Sequence, residues 1–147
     1  MYSWMLIIHV LGACVWTGGH LVLATSVLPN ALKTSDIEAL SAFEARFERI
    51  GIPSLIAQVV TGIWLAHHYL PNPLSWWNFD QPVHAQISLK LLCLGFTVAL
   101  ALHARLRLIP NLNQTNLRFL ALHIWMVTLL SIVFVIAGLS IRAPLAL

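Results

Sequence analysis

The chain has 147 residues, of which 59% are hydrophobic and 9% charged, with a mean hydropathy of +0.84 and a formal net charge of +3. Polar side chains this scarce cannot clothe a soluble globule of that size, so the composition places the chain in a membrane. Eight Lys and Arg against five acids are too sparse for a nucleic-acid footprint, and nucleic acid is set aside as a partner.

The first predicted span covers about residues 3–28, with no Lys or Arg before Lys33. It is longer than the apolar core of a signal peptide and is expected to remain as a transmembrane helix. At about 100° per residue, Trp16 and His20 each fall roughly 20° from His9, so the three form a stripe on one face. The two histidines are separated by about 16 Å of helix rise, roughly half the hydrocarbon thickness. Gly12, Ala13, Gly18 and Gly19 on the same helix would let a neighbouring backbone or a flat macrocycle approach. Pro29 and Asn30 are expected to end the span. Ser35 and Glu38 then form a capping-box pattern, and Ile37, Leu40, Phe43, Phe47 and Ile50 recur at helical spacing among Glu38, Glu44, Arg46, Glu48 and Arg49. A short amphipathic helix over about residues 36–50, lying at the membrane surface, follows from that pattern.

Gly51 and Pro53 introduce a second span, about residues 52–69, whose Ser54, Gln58, Thr61 and His68 share an arc that should face the bundle interior. Trp76, Trp77 and Asp80 in the next connector suit the headgroup zone. A third span covers about residues 84–108 and a fourth about residues 117–141. The sequence thus predicts an all-α integral membrane protein: a single membrane domain over residues 1–147, a four-transmembrane-helix bundle with one amphipathic helix between spans 1 and 2. Lys33, Arg46 and Arg49 lie in the first connector and Arg105, Arg107 and Arg118 near the third, while the second connector has no Lys or Arg and only Arg142 follows the last span. The positive-inside rule puts the basic connectors in the cytoplasm and, in a bacterial inner membrane, both termini in the periplasm.

Counting about 1.5 Å per residue from the span ends sorts the seven histidines into two layers. His20, His103 and His123 are expected at one level in the cytoplasmic half. His9 is expected level with Lys90 in the outer half, with His67, His68 and His84 nearer the outer rim. Polar side chains in spans ordinarily serve as hydrogen-bond glue between helices, but deeper ionisable groups usually face a cavity or cofactor. Lys90 is too deep to reach water freely, which suggests an anionic partner such as a cofactor carboxylate. Imidazoles from facing helices suit haem iron, and two layers would hold two b-type haems. Copper is the competing metal: Met1, Met5, Met126, Cys14 and Cys93 form no thioether ladder for Cu(I), but His9, His67, His68 and His84 could hold Cu(II). The span interiors contain no carboxylate to act as the general base of a zinc hydrolase. Cys14 and Cys93 read as small packing residues rather than a disulfide.

The run His9-Val-Leu-Gly-Ala-Cys-Val-Trp16-Thr-Gly-Gly19 resembles the first helix of the CopD-like superfamily, which includes copper-resistance D membrane domains and HemJ-type protoporphyrinogen oxidases. Glu48-Arg49-Ile50-Gly51-Ile52-Pro53 with Thr61-Gly62-Ile63-Trp64-Leu65 is similar to the family's second helix, and His84-Ala-Gln-Ile-Ser-Leu-Lys90-Leu-Leu with His103-Ala-Arg105 is similar to its third. The HemJ side implies b-type haem with His9 as a ligand and Lys90 as a functional lysine; the copper-resistance side implies copper uptake at the outer face. Val27-Leu28-Pro29-Asn30 lacks the arginine found after the first helix in HemJ-type proteins, the cation that a polycarboxylate porphyrinogen would want.

The leading expectation is a haem b-binding membrane redox protein, carrying one or two haems and exchanging electrons with a quinol or an outer-face donor. His9 with His67, His68 or His84 would ligate an outer haem, His20 with His103 or His123 an inner one, and Lys90 would pair with a propionate. A copper-binding membrane protein of the CopD type is the second expectation and a HemJ-type oxidase the third.

Overall fold

The computed structural model describes residues 1–77, 79 and 81–141; Asp80 and Arg142, weighed above for the connector and the orientation, lie outside them. Four helices are long and apolar enough to cross a membrane: α1 (Tyr2–Thr34), α2 (Ile37–Tyr69), α3 (Pro82–Asn111) and α4 (Leu117–Ser140). A 3-10 helix, Pro73–Trp77, lies between α2 and α3, and no strand occurs among the described residues.

Two of the expected boundaries are corrected. α1 does not end at Pro29. A π-turn over Leu23–Val27 closes with the Leu28 N–H on the Leu23 carbonyl, and helix resumes over Leu28–Thr34. A proline lacks the N–H for its own helical bond and its ring crowds the carbonyl four residues back; the wider π-turn just upstream relieves both problems. The same device recurs in α3. There a π-turn over Ala104–Leu108, with the Ile109 N–H on the Ala104 carbonyl, precedes Pro110. The amphipathic stretch is helical too, but it is the first half of α2, which runs unbroken through Pro53. Its N-cap is Asp36, whose carboxylate accepts from the Ala39 N–H at 2.9 Å, and not Ser35. Ser35 adopts a left-handed conformation (φ 56°) that turns the chain between α1 and α2.

α1 packs along both α2 and α4, and α4 along α3; α2 and α3 meet only sparingly. Glycines set the α1–α2 distance. A Cβ at Gly12 would stand 2.9 Å from the Ser54 carbonyl oxygen, and one at Gly19 would collide with the Phe47 ring. At the basic end, the ion pair of Glu48 with Arg105 bridges α2 to α3. That end also carries the apolar core: Leu23, Leu28 and Ala31 of α1, Leu40 of α2, and Leu117, Leu120 and Ile124 of α4. The middle of the bundle is lined differently, by buried Gln58, Thr61, Thr97, Thr128 and Ser131. Large apolar side chains such as Ile7, Leu11, Ile56, Val60 and Leu129 point outward, as lipid contact requires.

Three substitutions check this packing. Gly12→Ala is expected to destabilise the purified protein by about 1–3 kcal/mol, because the obstacle is backbone and cannot rotate aside. Gly18→Ala, where a Cβ meets nothing, should leave the melting temperature in detergent unchanged. Glu48→Gln breaks a pair whose side chains are 30% and 59% exposed, so its cost should be no more than about 1 kcal/mol in the same melt.

Candidate metal and cofactor site

His9 is held by α2. Its Nδ1 lies 2.8 Å from the Gln58 carbonyl oxygen and 3.1 Å from Thr61 Oγ1, and the Thr61 hydroxyl donates its own proton to the Ala57 carbonyl at 2.6 Å. Both partners accept, so Nδ1 carries the imidazole proton and Nε2 keeps a bare lone pair. The ring fits because residue 62 is glycine: a Cβ there would stand 2.9 Å from His9 Cε1. His20 is arranged alike on its own helix, with Nδ1 donating to the Trp16 carbonyl at 2.9 Å. Its ring lies 4.4 Å from that of Trp16 and edge-on to Phe47 at 5.3 Å. A neutral imidazole anchored through one nitrogen and bare at the other has the form in which histidine binds metal.

The histidine layers form only in part. The Thr128 hydroxyl lies 3.3 Å from the His20 carbonyl oxygen, which sets His20 level with residue 128 of α4. His123 is therefore about 7 Å nearer the basic end, where its Nε2 lies 2.9 Å from Nδ1 of His103. The expected inner level is in fact two, and the offset arises because the span ends used as origins for the count were themselves displaced. At the outer end the four-histidine site does not assemble. His67 and His68 are exposed, and His68 is stacked on Trp64 at 5.4 Å and tilted against Tyr2 at 5.1 Å. His84 is half-buried, its Nδ1 without a hydrogen-bond partner among the described residues. Among the described residues, no three His, Cys, Asp or Glu side chains come together.

Lys90 points into the bundle. Its Nζ lies 5.0 Å over the Phe134 ring, in the space that Gly138 leaves open. A cation over an aromatic face gains a modest electrostatic attraction, so the protein itself supplies a partner where an anionic cofactor group was expected. Cys93 is buried and Cys14 exposed, both as free thiols.

Sequence reasoning placed Gln58 on the inward arc without giving it a role. Its carbonyl anchors His9, and its side-chain Oε1 is buried with no donor among the described residues. Gln58 also lines a small cavity, bordered from all four helices by Trp16, Thr17, Leu55, Thr97, Ser131 and Phe134. Buried acceptors of this kind commonly take a water. The signal available was the pairing of Gln58 with Thr61 and Gly62, a polar and a small residue one turn on.

The donor set suits copper in part and a macrocycle poorly. Bare imidazole nitrogens are good copper ligands. The close approach that Gly12, Gly19 and Gly62 allow is taken up by the Ser54 carbonyl, the Phe47 ring and the His9 ring, so those glycines open no slot between α1 and α2 for a flat cofactor. No curated protein and no solved structure matches the chain. The sequence pattern of the family described as copper resistance protein D matches it over residues 41–141, which takes in nearly all of α2 and the whole of α3 and α4. The chain is a four-span integral membrane protein that belongs to the copper resistance protein D family.

Proposed function

We propose that this chain handles copper within the membrane, receiving the ion as cargo on imidazole nitrogens. The observation that carries the reading is the family match over residues 41–141. The anchored His9 and His20, each with Nδ1 on a main-chain carbonyl and Nε2 bare, support it. Both lie outside the matched stretch, on α1. His9 fits the task better, being clamped from a second helix, and the Lys90 cation, which also points into the bundle, favours a singly charged ion over a doubly charged one. The basic connectors would lie in the cytoplasm, by the distribution of Lys and Arg.

A second reading is a b-type haem protein with a quinol or outer-face electron donor, with His9 as an axial ligand and Lys90 near a propionate. Bare Nε2 on His9 favours it; the filled α1–α2 interface opposes it.

One preparation separates the two. Protein purified in nanodiscs is expected to retain copper through dialysis and to show no sharp reduced b-type band with dithionite. His9→Ala, folded as judged by its helical circular dichroism, should lose part of that copper. A preparation with iron, a reduced b-type band and no affinity for copper would overturn the copper reading in favour of haem.

A further inference from the structure

The two imidazoles at the basic end of the α3–α4 seam have a geometry that the other histidines lack. His103 Nδ1 and His123 Nε2 are 2.9 Å apart, with the ring centroids 4.9 Å apart and the planes inclined by 21°. With the facing nitrogens so close, that centroid separation means the rings meet nearly end to end, not face to face. The in-plane orbitals of the two nitrogens therefore lie near one line. His123 Nδ1 donates to the Phe119 carbonyl at 2.9 Å, so its Nε2 is bare and His103 Nδ1 holds the one proton between the rings. If that proton moves to His103 Nε2, two lone pairs face each other across the gap.

Opposed imidazole lone pairs with no third donor suit a two-coordinate monovalent ion. Tetrahedral zinc and tetragonal Cu(II) draw on larger sets of ligands, and no three His, Cys, Asp or Glu converge among the described residues. Arg107 and Arg118 share this end of the bundle, and their charges disfavour a divalent ion more than a monovalent one; Arg105 is engaged with Glu48. His103 is exposed at the bundle surface and His123 partly so, so an ion need not cross the core to meet the pair.

We propose that His103 and His123 form a Cu(I) site at the basic end of the bundle, a proposal that rests on the copper reading above. The ion inserts on the line between the nitrogens, two N–Cu bonds form, and the His103 proton passes from Nδ1 to Nε2. No proton is released and copper stays monovalent, so the ion must be supplied as Cu(I). Metal–imidazole bonds of about 2 Å require the nitrogens to separate by about 1 Å, a movement open to the exposed His103 side chain.

The test is an anaerobic titration of the purified chain with Cu(I) against a competing chelator. His103→Ala and His123→Ala are each expected to weaken one equivalent by about 100-fold or more, since even a residue that only orients a ligand is worth 10–100-fold. His9→Ala should keep that equivalent, and X-ray absorption of wild type with one Cu(I) bound should show a shell of two nitrogens. Wild-type binding that neither alanine variant weakens would overturn this site and leave the copper reading standing; wild type that takes up no copper would end both. Should the variants misfold, carbethoxylation of wild type mapped by mass spectrometry decides. Protection of His103 and His123 by Cu(I) supports the site, and equal labelling with and without copper overturns it.

Discussion

In a hydrocarbon layer a polar side chain has no water to bond with, so each must find its partner within the protein. Thr25, Ser54, Thr61, Thr128 and Ser140 do so by donating to the carbonyl four residues earlier on their own helix. His20 and His123 follow the same rule through Nδ1, and His9 obeys it across a helix interface. An imidazole differs from a hydroxyl in one respect. Once its N–H is satisfied, the opposite nitrogen is left bare and fixed in direction. The requirement that quiets serine and threonine in these spans thus leaves the histidines as directed lone-pair donors.

The α1–α2 interface makes that arrangement possible, and it depends on what is missing from it. Gly12 admits a main-chain carbonyl, Gly19 an aromatic ring and Gly62 the imidazole itself. Without a hydrophobic driving force between spans, contact area and hydrogen bonds must hold helices together, and small residues bring the backbones near enough for both. The α2–α3 side has no such interlock. There the four helices surround a small, largely apolar cavity that Gln58 helps to line.

The spans were legible in the sequence because hydropathy over about twenty residues is a strong signal, and the inward face of α2 because Gln58 and Thr61 repeat at helical spacing. Pro29 misled for a physical reason: with a π-turn just upstream a proline need not stop a helix, and composition does not reveal such a turn. The displaced α1 boundary then spread into the histidine depths, separating His20 from His103 and His123. The end-to-end meeting of His103 with His123 was beyond reach, since it depends on the rotation of two helices about their axes. The tie between Lys90 and Phe134 likewise needed coordinates, because an aromatic residue at helical spacing reads as packing.

The apolar core at the basic end has a thermodynamic side. α1 and α2 are each about 50 Å long, against roughly 30 Å of hydrocarbon, and their charged residues, Lys33 on α1 and Glu38, Glu44, Arg46, Glu48 and Arg49 on α2, all lie toward the basic end, so it is there that they reach past the lipid. Leu28, Leu40 and Leu120 are gathered near that end, where exposure would mean contact with water and burial gains the full hydrophobic effect. Deeper in the bilayer, separating two helices only trades protein contacts for lipid contacts. The heat-capacity change of unfolding, which reports apolar surface passing into water, therefore belongs largely to one end of this molecule. Judged by the forces that hold it, the protein is a water-type core at its basic end continuous with a lipid-type bundle, and heating or cooling acts on the two parts through different terms.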